Sequence, residues 1–297
     1  MSNDTLKAWV QASRPQFFIA TIIPLALGGI LAAQAGHWDT TTWLVILLAS
    51  FLVHLNTNLA NDYFEYSTGA DDGEAIGGSR VLQQGRITVN QMFAVLILFY
   101  FLALLCGLWL LWHTKLWILI PIMLFSFFSS LFYTAPPIRY GYRGLGELFV
   151  GLNMGPIMVA GTAYTLTGDF TIRSLMLSLP IAILVALILY YQSLSDIDDD
   201  RAIGKFTLAV KLGRKHILPG FIAFIALNYT VIAILVLLQF VHFAALLIWL
   251  TLPLAWRTVK LIKSTPNIRD LHDKGGGVRK LYLLNGLILI IVIALTG

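Results

Sequence analysis

The chain has 297 residues, 58% of them hydrophobic and only 12% charged, with a mean hydropathy of +0.80. A soluble domain carries about 45–50% apolar and about 25% charged residues, so a water-soluble globular chain is excluded and a polytopic membrane protein is expected. The single cysteine, Cys106, excludes an intrachain disulfide and a cysteine-based metal site, while the net charge of +5 (pI ≈ 9.3) has to be tested before it is read as nucleic-acid binding.

A membrane span needs about 20 apolar residues. No charged n-region with a short apolar core and a small-residue cleavage site precedes the first such run, so no removable signal peptide is expected. Nine runs then read as transmembrane helices: about 16–34, 42–62, 91–112, 116–135, 145–166, 174–194, 217–238, 243–262 and 280–296. An N-terminus in the cytoplasm puts segments 1–15, 63–90, 136–144, 195–216 and 263–279 inside. Counting each span end with its adjacent loop, only Lys115 and Arg173 of the 20 Lys and Arg then fall outside. This is the positive-inside rule. It accounts for the basic charge and leaves nucleic acid without support as a partner.

Acidic residues follow a pattern that the rule does not require. Only Asp39 and Asp169 of the 15 lie outside. The inside ones gather after span two (Asp62, Glu65, Asp71, Asp72, Glu74) and after span six (Asp196, Asp198, Asp199, Asp200), four helices apart and on the same side. Two four-helix halves in parallel orientation (about 16–135 and 145–262) plus a ninth helix would produce this spacing. The expected architecture is therefore all-α, a single domain over 1–297 around a central cavity that opens near the cytoplasmic side. Loops 63–90 and 195–216, rich in Gly and charge, are expected to form its cap.

Within NLANDYFEYSTGADD, a helix continued to Glu65 puts His54, Asn58, Asn61, Asp62 and Glu65 on one face. Gln192, Asp196 and Asp200 share a face in the same way. Two stripes of mostly oxygen donors on helices of the same orientation can face each other across a cavity. Carboxylates and amides without Cys or His partners select hard cations, Mg²⁺ or Ca²⁺, and Mg²⁺ is usually completed by substrate phosphate. The bland alternative is a solvated or capping helix end. Two clusters in matching places favour a site. Basic partners for a diphosphate follow each cluster: Arg80 and Arg86, then Arg201, Lys205 and Lys211, with Arg139 and Arg143 after span four. Small residues beside Arg80 (GGSR) and Lys205 (GKFTL) allow a close approach to an anion. His54, alone inside a helix, reads as packing before it reads as a base.

These residues carry a resemblance. Asn61, Asp62, Glu65, Gly69 and Asp71 resemble the first aspartate motif of the UbiA-type membrane prenyltransferases. Asp196 and Asp200, followed by RAIGKFTLAVKLG, resemble the second. YTAPPIRYGYRGLGEL after span four and the opening SRP, Ser13–Pro15, fit as well. The details most resemble the 1,4-dihydroxy-2-naphthoate polyprenyltransferases of menaquinone synthesis. Two departures stand out: Glu65 where the family usually has Asp, and Gln192–Asp196 where the naphthoate enzymes usually carry Asn-Asn-x-Arg-Asp.

The resemblance implies Mg²⁺-dependent transfer of a polyprenyl chain from an allylic diphosphate to an aromatic acceptor in the membrane of a bacterium or archaeon. Asn61, Asp62, Glu65, Asp71, Asp196 and Asp200 would hold metal, with Asp62, Glu65, Asp196 and Asp200 central to catalysis. Asn58, Asn61, Arg80, Arg139 and Lys205 would hold substrate. An allylic cation needs electron density and protection from water, for which Tyr133, Tyr140 and Tyr191 are candidates, with Tyr63, Tyr142 and Tyr190. Other readings stay open here. The acceptor could be 4-hydroxybenzoate, another phenol, a tetrapyrrole or a lipid glycerol phosphate. The protein could also be a cation-coupled transporter, or a quinone- or lipid-binding protein without catalysis.

Overall fold

The computed structural model describes residues 3–69 and 77–296. Regular structure among them is entirely helical: α1 (Asn3–Ser13), α2 (Ile19–Gln34), α3 (Thr40–Ser67), α4 (Val89–Thr114), α5 (Leu119–Phe132), α6 (Gly146–Leu152), α7 (Met158–Thr167), α8 (Ile172–Ser195), α9 (Ile197–Ala202), α10 (Leu208–Leu212), α11 (Ile217–Leu237), α12 (Leu252–Ser264) and α13 (Gly276–Thr296). A π turn, Asn153–Ile157, joins α6 to α7, and a 3-10 stretch, Phe243–Thr251, leads into α12.

Among the described residues, seven helical stretches are long and apolar enough to cross a membrane: α3, α4, α6–α7, α8, α11, Phe243–Ser264 and α13. An eighth results if Asp4–Phe17 and Ile19–Gln34, bent by 53°, count as one span. The run expected over 116–135 is helical only for the 14 residues of α5. A turn at Trp117–Ile118 follows left-handed Lys115, and Pro136 and Pro137 close its other end.

Local chemistry sets the ends. The Asp39 carboxylate caps α3 by accepting from the Thr41 amide at 2.9 Å, and Thr88 with Gln91 makes a reciprocal capping box on α4. Gly168, at φ 77°, closes α7 in the left-handed conformation that glycine adopts without strain. Burial sets the layers. In α8, 56% of the most apolar window is buried, against 17% in α4, so α8 is central and α4 peripheral. The α8 helix packs on α6, α11 and α13. Helix α2 lies between α7 and α13. A Cβ on Gly28 would stand 2.5 Å from the Val159 carbonyl oxygen, and one on Gly286 would stand 2.5 Å from an Ile23 methyl. Glycine thus allows the close helix approach that replaces the hydrophobic effect inside a bilayer. Asn285 cross-links α11 to Thr251, its amide accepting from Asn228 at 3.1 Å and donating to Thr251 Oγ1 at 3.0 Å.

Two features position the site. Pro15 cannot donate a backbone hydrogen bond and disfavours a right-handed helix at the residue before it. Arg14 leaves α1 in a left-handed conformation, at φ 52°, the turn Pro15–Phe17 follows, and the 53° bend comes at Phe18. Helix α3 meanwhile runs unbroken to Ser67, so the following loop starts later than 63. The segment 195–216 is not an open loop either, because α9 and α10 fold within it.

Candidate active site

The polar end of α3 enters a cavity of about 380 Å³. His54, Asn58, Asn61 and Glu65 line it; Asp62 does not. Helical geometry explains the difference. At about 100° per residue, Asn61 lies about 60° to one side of Asn58, and Asp62 about 40° to the other. The cavity takes the first side. The second faces the N-terminal bend, where Asp62 Oδ1 accepts from Arg14 Nη2 at 2.5 Å and from the Ser79 amide at 3.1 Å. Ser79 Oγ donates to Oδ2. Gly78, at φ 74°, makes the turn that brings Ser79 in.

The opposite wall comes from α8 and α9. Helix α8 stops at Ser195, and the chain re-enters a helix after Asp196 (φ −98°, ψ 4°). The break does not scatter the expected stripe, because the Asp200 amide donates to the Asp196 carbonyl at 2.7 Å. Gln192, Asp196 and Asp200 all line the cavity. Along α8 and into α9 the wall changes from apolar at Val185, Ile188 and Leu189 to acidic at Asp196 and Asp200. The cavity therefore has an apolar end and an anionic end, separated by roughly 16 Å of helix rise.

Lys205 joins the two acidic stretches. Its Nζ donates to Glu65 Oε1 at 2.9 Å and lies 3.3 Å from Asp200 Oδ1. Gly204, left-handed at φ 74°, turns the chain, and the Lys205 amide donates to the Asp200 carbonyl at 2.7 Å. The Tyr142 ring lies under the ammonium at 5.4 Å. Burial opposes the charge on Lys205, but Glu65 and Asp200 outweigh it and hold the ammonium well above its ordinary range. Burial also dominates at Asp200, pushing it up to about 7 although Lys205 pulls it down. Asp196 is raised by burial as well, with the Ser195 hydroxyl and Lys205 opposing.

Other candidates are dispersed. Tyr133 and Tyr191 line the cavity. Tyr140 is buried outside it, donating to the Ser129 carbonyl at 2.7 Å and stacking on Phe149. Arg80 and Arg139 are both left-handed, at φ 60° and 46°, and neither belongs to the cavity wall among the described residues. Arg139 lies over Tyr142 at 5.4 Å. Asp71 lies outside the described residues. Arg14, Ser79, His272 and Arg279 line the wall although no sequence motif assigned them a role. For Arg14 the signal was the SRP at the bend; for Arg279 it was three glycines opening the last helix.

No three His, Cys, Asp or Glu side chains among the described residues form a preassembled metal cage. The donors present still fit a hard cation. Asn61 Oδ1 is buried on the wall without a hydrogen-bond partner, and Glu65, Asp196 and Asp200 add oxygen donors to the same cavity.

Comparison with known proteins identifies the family and the fold. Residues 21–270 match the UbiA prenyltransferase family. A 1,4-dihydroxy-2-naphthoate octaprenyltransferase of Bacillus subtilis is 29% identical over 74% of this chain and 70% of its own length. A 2-carboxy-1,4-naphthoquinone phytyltransferase of Synechocystis is 30% identical over 91% of this chain and 85% of its own. The structure of a UbiA homolog from Archaeoglobus fulgidus bound to GPP and Mg²⁺ has the same fold, with a TM-score of 0.63 at 17% identity over 96% of this chain and all of that one. The apo structure of a UbiA homolog from Aeropyrum pernix gives a TM-score of 0.67 at 16% identity, over 93% and 97% of the two chains. With an all-helical membrane fold and two acidic helix ends meeting in one cavity, this chain belongs to the UbiA prenyltransferase family.

Proposed function

We propose that this protein transfers a polyprenyl chain from an allylic diphosphate to an aromatic acceptor, 1,4-dihydroxy-2-naphthoate, in menaquinone synthesis. The observation that carries the reading is the meeting of Glu65 and Asp200 on Lys205, at the anionic end of a cavity whose other end is apolar. The acceptor is supported by the naphthoate- and naphthoquinone-type names of two relatives. Two matching halves, each contributing one acidic helix end, are part of the same reading. So is an orientation with the N-terminus and the site loops in the cytoplasm of a bacterial or archaeal cell, which rests on the Lys and Arg asymmetry.

Asn61, Glu65, Asp196 and Asp200 would hold Mg²⁺, a choice supported by the Mg²⁺-bound Archaeoglobus homolog. When bound, Mg²⁺ would neutralise charge collecting on the departing diphosphate. Asp62 acts differently, because Arg14 and Ser79 take both of its oxygens and it anchors the loop that borders the site. Lys205 donates to diphosphate oxygens as the carbon–oxygen bond breaks and its electron pair leaves with the diphosphate. The Tyr133 and Tyr191 rings face the allylic cation. Val150, Met154, Val185 and Ile188 hold the chain and exclude water from the carbon. A ring carbon of the acceptor then forms the new bond and loses carbon dioxide or a proton.

A screen of aromatic acceptors with a labelled prenyl diphosphate, read by product mass, tests the reading. The prenylated naphthalene is expected, with diphosphate released only when Mg²⁺ is present. Asp196→Asn and Glu65→Gln should each lower turnover by at least about a hundredfold, the scale on which loss of an electrostatic stabiliser acts. Full turnover in either variant, or in excess chelator, would refute the metal assignment.

A further inference from the structure

The cavity contains a cation that neither acidic stretch neutralises. Arg279, in the first turn of α13, lines the same wall as Asp196 and Gln192. Among the described residues no carboxylate forms an ion pair with it, and the acids of both stretches lie against other groups, Asp196 accepting from the Ser195 hydroxyl at 2.9 Å. Asp62 pairs with Arg14, Asp199 with Arg269, and Asp198 with Arg214. Glu65 and Asp200 share Lys205. The environment of Arg279 is aromatic instead. Its guanidinium carbon lies 5.7 Å from the Phe17 ring centre. A Cβ on Gly275 would stand 3.2 Å from Arg279 Nη1 and 3.3 Å from Tyr191 Cε1, so the guanidinium and the Tyr191 ring rest against the same bare stretch of backbone. Tyr191 is itself fixed, its hydroxyl donating to the Leu271 carbonyl at 3.3 Å.

An arginine that lines a cavity without an ion-pair partner offers its charge to an anionic ligand. Its geometry selects the ligand. A guanidinium presents a planar fork that matches a carboxylate with two parallel hydrogen bonds. Flanking aromatic rings suit a flat ring carrying that carboxylate. Tyr191 is five residues before Asp196, about 7 Å along the helix axis, so a ring placed there lies beside the anionic end where the leaving group is held.

We propose that Arg279, between Phe17 and Tyr191, binds the carboxylate of the aromatic acceptor and sets the enzyme's preference for a carboxylated ring. This rests on the proposed prenyl transfer to a naphthalene acceptor. The test uses the full-length protein, a labelled prenyl diphosphate, and two acceptors, 1,4-dihydroxy-2-naphthoate and 1,4-dihydroxynaphthalene. Wild type should prefer the carboxylated ring. Arg279→Gln should raise KM for that ring by about tenfold to a hundredfold, the scale of losing a charge-assisted hydrogen bond. It should leave KM for the prenyl diphosphate unchanged and abolish the preference, while Arg279→Lys retains part of it. The unchanged donor KM also shows that the variant is folded.

The inference is overturned if Arg279→Gln keeps the preference, if it weakens both acceptors equally, or if it raises KM for the donor instead. A wild-type protein that prenylates neither naphthalene refutes the proposed acceptor and this inference with it. A wild-type protein that prenylates both without preference refutes the inference and leaves prenyl transfer standing.

Discussion

Asp62→Asn separates an anchor from a metal ligand. Asp62 is 4% exposed and Arg14 is 17% exposed, with 2.5 Å between Nη2 and Oδ1. At an effective dielectric of about 20, two unit charges at that distance attract by roughly 6–7 kcal/mol. Desolvation offsets several kcal/mol for each ion, and hydrogen bonds to charged groups contribute a net of about 1.5–3 kcal/mol. The coupling between Arg14 and Asp62 should thus be about 2 kcal/mol, roughly thirtyfold in the folded-to-unfolded ratio. Asparagine keeps the shape and an acceptor for the Ser79 amide but removes the charge. The assay is equilibrium unfolding in mixed micelles for wild type, Arg14→Gln, Asp62→Asn and the double variant. Additivity within about 0.5 kcal/mol would show that no such coupling exists. A Mg²⁺ titration of the same four proteins separates the roles. An anchor predicts that Asp62→Asn and Arg14→Gln have the same Mg²⁺ requirement. A requirement raised tenfold or more in Asp62→Asn alone would make Asp62 a ligand and refute the anchor.

Two further expectations concern residues outside the cavity. Tyr140→Phe loses the hydrogen bond to the Ser129 carbonyl and should lower stability by about 1 kcal/mol, with KM for both substrates unchanged; a tenfold rise in either KM would return Tyr140 to the site. Asn285→Ala removes the link between α11 and Thr251 and should cost about 0.6–1.7 kcal/mol, the range for side-chain hydrogen bonds between membrane helices. Unfolding in mixed micelles measures it, and unchanged stability would make the cluster a bystander.

Much of the site was legible because helical spacing carries it. Asn58, Asn61 and Glu65 on one helix, and Gln192, Asp196 and Asp200 across the α8–α9 junction, meet in a single cavity. Their meeting through Lys205 was not legible, because it depends on the packing of elements 140 residues apart. Spacing also could not show that Asp62 turns aside. Residues at i and i+4 share a face only to within a sector, and the partner waiting at each edge decides between them. Tyr140 and Arg139 were misleading for another reason. In the YTAPPIRYGYRGLGEL stretch the tertiary packing turns these two side chains away from the cavity, so Tyr140 reaches Ser129 and Phe149 on the flanking helices and Arg139 reaches Tyr142. Arg279 was hidden by a rule that explains basic residues too readily. The positive-inside asymmetry accounts for any lysine or arginine on the cytoplasmic side, including one that faces inward.

The contact between α2 and α13 bears on how the protein is made. These helices are about 250 residues apart in sequence, and glycine at 286 lets them touch. Phe17, at the entry to α2, and Arg279, on α13, stand on the same cavity wall. The wall is therefore complete only after the last helix has left the ribosome and entered the bilayer. Until then α2 has one helical flank uncovered, and the polar groups that line the cavity have no closed chamber around them. Contacts of such long range form late, so the competent site should arise as the final event of membrane assembly.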